Sequence, residues 1–85
     1  MKSFSYVLTD AEGIHARPAG QLVKLAKTFQ STINIEKDGK AVNVTKLMML
    51  MGMGIKCGDT VNFTVEGADE EEAAKAVEEF MTENL

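Results

Sequence analysis

The sequence predicts an α+β fold, a four-stranded antiparallel sheet with helices covering one face, in the order β-α-β-β-α-β-α. Short segments alternate apolar and polar residues in steps of two, the mark of strands with one buried and one solvated face. Longer segments between them carry apolar residues at helical spacing. The dipeptide Asp38-Gly39 falls between two alternating runs, where it is a strong signal for a tight hairpin.

Phe4, Tyr6 and Leu8 alternate with Ser3, Ser5 and Val7 in the first strand. Thr9 to Gly13 is polar and ends on glycine, which predicts a loop. A helix follows from about Ala16 to Phe29, burying Ala19, Leu22, Val23, Ala26 and Phe29. Arg17, Gln21, Lys24 and Thr28 fall opposite, and Pro18 sits in the first turn, where its missing N–H costs nothing. Ile33 and Ile35 mark the second strand, and Val42 and Val44 continue the pattern after the hairpin. A short apolar helix is predicted from Thr45 or Lys46 to about Met53. Val61, Phe63 and Val65 alternate in the fourth strand, and Gly67 turns the chain. The last helix begins after Asp69, the expected cap, with Glu72 reaching back to complete a capping box. Its buried stripe is Ala73, Ala74, Val77, Phe80 and Met81.

A chain of 85 residues is expected to form one domain, residues 1–85, around one modest core. It has little room for an enclosed substrate cavity, so its chemistry is expected on the surface against a partner. The formal net charge of −4 disfavours nucleic acid. No apolar run approaches the ~20 residues of a membrane helix, and Met1-Lys2-Ser3-Phe4-Ser5 lacks a secretory core. The lone cysteine, Cys57, has no internal partner, and with the missing leader this predicts the cytoplasm.

The chemistry concentrates in Gly13-Ile14-His15-Ala16-Arg17-Pro18. His15, the single histidine, lies just before a helix. Amide N–H groups at a helix start are unpaired and favour anions. Arg17 adds a guanidinium that can make charge-assisted hydrogen bonds to phosphate oxygens. Gly13 lets the backbone bend so that the ring meets the amides. These residues specify an anion-binding histidine and leave the reaction unnamed.

The run Gly13-Ile14-His15-Ala16-Arg17-Pro18-Ala19 resembles the phosphorylation-site motif of the HPr family, histidine-containing phosphocarriers of the sugar phosphotransferase system. Gly39 to Val44, Leu47-Met48 through Met53-Gly54, and Val65 to Glu70 resemble the family's third strand, second helix and entry to the last helix, so the likeness spans the chain. The resemblance implies an open-faced β-sandwich with three helices on one face and no cofactor or metal. It implies that His15 takes a phosphoryl group on Nδ1 from phospho-enzyme I and passes it to the IIA domain of a sugar permease. Arg17 would pair with the phosphate, the amides of Ala16 and Arg17 would cap it, and Pro18 would fix the helix start. The carrier would act stoichiometrically, as a monomer, and not as an enzyme.

One departure from the family is Lys46, where many Gram-positive relatives carry a regulatory serine. Lysine cannot be phosphorylated by the family's serine kinase, so control through this position is not expected. The neighbouring Thr45 hydroxyl is expected to cap the second helix.

Leu47, Met48, Met49, Leu50 and Met51 are five apolar residues in a row, more than a short helix can bury. About half the methionines are expected to fill core, and the rest to form a docking patch. By helical spacing Leu47, Met51 and Met48 share one face and Leu50 falls on another. Following the family's use of this helix, Leu47, Met48 and Met51 are assigned to the docking surface with Gly20, Gln21, Lys24 and Lys27 of the first helix. The basic side chains would steer acidic partners. Cys57 is read as an unreactive thiol, and the acidic run Asp69 to Glu72 as helix-start chemistry, not a metal site.

Overall fold

The alternating segments become strands β1 (Lys2–Val7), β2 (Thr32–Lys37), β3 (Lys40–Asn43) and β4 (Thr60–Glu66) in a computed structural model that describes residues 1–85. They form one sheet in the order β1-β4-β2-β3, antiparallel throughout. The inner face carries Ile33, Ile35, Val61, Phe63 and Val65, all buried, while Ser3, Ser5 and Asn62 face water. Register places Phe4 opposite Phe63, and their rings stack with centroids 4.9 Å apart. Asp38 (φ 53°) and Gly39 (φ 83°) both have positive φ, as the tight turn between β2 and β3 requires.

Helices α1 (Ala16–Lys27), α2 (Leu47–Gly52) and α3 (Glu70–Asn84) complete the expected order. Helix α3 lies against β1, β4 and α1, while α2 packs beside α1 and β3. Their buried residues join the sheet's inner face in a single core cluster. Helix α1 stops two residues short of Phe29. The Thr28 and Phe29 amides close onto the carbonyls of Leu25 and Ala26 in a tighter turn, which still lets Phe29 pack on the core.

The structure corrects three expectations. The Asp69 side chain does not cap α3. Its carboxylate accepts hydrogen bonds from the amides of Gln30 and Ser31, both 2.9 Å, and from the Ser31 hydroxyl. Glu70, not Glu72, reaches back, accepting the Gly67 amide at 3.3 Å. The cause is close approach of two loops: a Cβ on Gly67 would lie 2.6 Å from the Ser31 Cα. Thr45 does not cap α2 either, because its hydroxyl donates to Asn43 Oδ1 at 2.7 Å and Lys46 occupies the N-cap position. Finally, α2 buries Leu50 alone, and its three methionines are all exposed.

Candidate functional site

The site begins in the loop between β1 and α1, which folds against distant parts of the chain. The Thr9 and Asp10 amides donate to the Leu85 carbonyl at 2.7 and 2.8 Å, so the end of α3 tethers the loop. Asp10 Oδ1 accepts the Glu12 amide at 2.8 Å, and the Asp10 carbonyl accepts the Gly13 amide at 2.9 Å. Gly13 has φ +66°, and a Cβ there would sit 2.2 Å from the Ile55 carbonyl oxygen. The Ile14 amide donates to that same oxygen at 3.1 Å, and the Ile14 side chain is buried. The turn is wedged, so His15 leaves it in a fixed direction.

His15 is the N-cap residue of α1, in an extended conformation (φ −119°, ψ 179°). Its carbonyl accepts the Ala19 amide at 2.9 Å, the first bond of the helix ladder. Its side chain makes no capping bond and is 37 % exposed. The amides of Ala16 and Arg17 precede that first ladder bond and remain available to an anion. Pro18 has no N–H to give; it is buried and fixes the first turn. Arg17 is exposed, with no carboxylate of the chain within ion-pair distance. No acidic residue lies in the first turn to offset the helix dipole.

Two residues read only as loop enter the site. His15 Nε2 lies 3.5 Å from Glu12 Oε2 and 3.8 Å from Asp10 Oδ1. Sequence gave no signal for this contact, because contacts with Ile55 and Leu85 set the loop's path. Ligand-capable atoms of the three residues lie within 4.8 Å of one another. Glu12 is largely exposed, and the grouping is two loop carboxylates facing one edge of the imidazole.

The proposed docking residues divide as follows. Gln21, Lys24 and Lys27 are exposed along α1, and Gly20 is half-buried with open space above it. Leu47, Met48 and Met51 are exposed on α2. Met49, not assigned to the surface from sequence, joins them at 58 % exposure. Lys46 is exposed at the start of α2. Cys57 is exposed too, its sulfur 3.8 Å from the Thr9 carbonyl. The largest groove, about 650 Å³, lies between the β2–β3 hairpin and α2, and no concavity is lined by His15. The histidine lies on an open part of the surface, 37 % exposed.

The chain is similar over nearly its whole length to known proteins. The family model described as the PTS HPr component phosphorylation site matches residues 2–83. The phosphocarrier protein HPr of Lysinibacillus sphaericus is 40 % identical over 83 residues, covering 98 % of this chain and 94 % of that one. The crystal structure of HPr-C-His from Thermoanaerobacter tengcongensis superposes with a TM-score of 0.92 at 40 % identity, covering 96 % of this chain and 92 % of that one. A crystal structure of an HPr dimer from the same organism superposes with a TM-score of 0.77 at 40 % identity, covering 98 % and 95 %.

Proposed function

The chain belongs to the HPr family of phosphocarriers of the phosphotransferase system, which carry a phosphoryl group and are not catalysts, and from that premise we propose that His15 is the phosphoryl acceptor. The observation that carries the proposal is the partly exposed imidazole at the open amide end of α1. A ring nitrogen attacks the phosphorus held by phospho-enzyme I. The transferred oxygens then meet the amides of Ala16 and Arg17, fixed by the helix start, and the Arg17 guanidinium, whose exposed side chain is free to close on them. The same donors hold the group until a IIA domain takes it.

The docking face of this reading runs from Gly20, Gln21, Lys24 and Lys27 of α1 to Leu47, Met48, Met49 and Met51 of α2, helices that pack side by side. Flexible methionines suit one surface to several unrelated partners. The single core supports one domain over residues 1–85, and the need to meet successive partners supports a monomer working in the cytoplasm. Lys46 leaves the family's serine kinase without a substrate hydroxyl at that position.

Incubation with phosphoenolpyruvate and enzyme I tests the assignment. The chain should gain one acid-labile phosphoryl group, His15→Ala none, and Arg17→Ala should accept roughly ten- to a hundredfold more slowly, the value of one charge-assisted contact. Phosphate retained by His15→Ala would remove His15 from the role. The serine kinase with ATP should leave the wild-type protein unmodified and label Lys46→Ser.

A further inference from the structure

We propose that Asp10 and Glu12 are positioning residues for phosphoryl transfer: their carboxylates hold the N–H of His15 on Nε2 and leave the Nδ1 lone pair to face the donor. The inference rests on His15 being the acceptor. Nε2 is the ring atom that faces both acids, at 3.5 Å from Glu12 and 3.8 Å from Asp10. A neutral imidazole carries one N–H, and ionised carboxylates only accept. With the hydrogen on Nε2 the positive end of the N–H dipole lies on the side of two carboxylates, an electrostatic preference at these distances and not a direct hydrogen bond. With the hydrogen on Nδ1, the Nε2 lone pair would face two negative charges, as would a phosphoryl group placed on Nε2. Nδ1 is the nitrogen that remains for chemistry.

The backbone that carries the acids is held in place, and Asp10 Oδ1 is fixed by the Glu12 amide. The Asp10 amide is tied to the Leu85 carbonyl, the Glu12 amide to Asp10 Oδ1, and Gly13 is wedged on Ile55. In the transfer, the Nδ1 lone pair forms the P–N bond while phosphorus parts from enzyme I, whose electron pair returns to that protein. The ring keeps its Nε2–H and gains a positive charge opposite the two carboxylates. Delivery to the IIA domain reverses each change.

Proton–nitrogen correlation spectra of the unphosphorylated protein, with the ring neutral, show which nitrogen carries hydrogen. The wild type should hold it on Nε2, and Asp10→Asn/Glu12→Gln should show a mixture. The rate of acceptance from phospho-enzyme I should fall about two- to fivefold in Glu12→Gln, further in the double variant, and recover in part in Glu12→Asp. Unchanged thermal melting of Glu12→Gln would show that its fold is intact, as its exposure leads one to expect. Hydrogen on Nδ1 in the wild type would overturn the proposal, and so would a double variant with wild-type proton placement or a wild-type rate. If the wild type accepts no phosphate on His15, the acceptor assignment fails, while the spectra still decide what the carboxylates do.

Discussion

A Cβ on Gly13 would have to occupy space held by the Ile55 carbonyl oxygen, 2.2 Å away, in a conformation that side chains resist. The Gly13→Ala variant is therefore expected to lose about 1–3 kcal/mol from backbone strain, and to accept phosphate more slowly because the turn that aims His15 must shift. Gly39→Ala is the control. It too has positive φ, at +83°, but open space around its Cβ, so it should lose about 1 kcal/mol and keep its transfer rate. Thermal melting and the phosphorylation rate, measured on both variants, separate strain from site geometry; equal effects on transfer would discount the wedge. His15 and Arg17 were legible in the sequence because they are chain neighbours at a helix start, where local rules decide what an amide faces. The Asp10 and Glu12 contact and the true role of Asp69 were not. Each depends on a segment far along the chain, Ile55 and Leu85 in one case and Ser31 in the other.

Elements with a clear period were read correctly, since alternation fixes which strand face is buried. Helix α2 shows where that logic stops. Spacing separates Leu50 from Leu47, Met48 and Met51, but five apolar residues in a row cover every side, so packing against α1 and β3 decides which face enters the core. A helix of six residues cannot stand alone, and Leu50 is its one buried anchor. Leu50→Ala is expected to cost about 2–5 kcal/mol, seen as an earlier denaturant midpoint. Met48, 81 % exposed, should behave in the opposite way. Met48→Gln should change stability by no more than about 0.5 kcal/mol, yet raise the concentration of protein at which enzyme I or the IIA domain is half-saturated. Unaltered saturation by both partners would take Met48 out of the docking face. The pair of variants thus sorts the methionine-rich helix into an anchor that supports the fold and a surface that meets partners.

Across the whole molecule, three carboxylates tie segments that are distant in sequence, and all three are held below the ordinary carboxylate range. For Asp59 the cause is first the Lys37 ammonium, 2.8 Å away, and then the Lys56 amide. For Asp69 it is the Ser31 hydroxyl, then the Gln30 amide. For Glu70 it is the N-terminal ammonium, then the Gly67 amide. A group whose folded value lies below its unfolded value takes up a proton on unfolding whenever the pH lies between the two. The stability it contributes is complete above the unfolded value, near pH 4, and is lost as pH falls through the folded value. The net charge of −4 does not predict this, because the sensitivity resides in which acids are paired. The melting temperature should therefore vary little through these three groups from pH 7 to about 5 and drop below about pH 4. Asp69 joins the turn before α3 to the loop before β2. Asp69→Asn should thus melt earlier at pH 7 and show a shallower fall in acid, so that the two curves converge. Parallel curves, with the same acid slope in both proteins, would mean that the Asp69 tie contributes nothing to acid sensitivity and that the loss lies with Asp59 and Glu70.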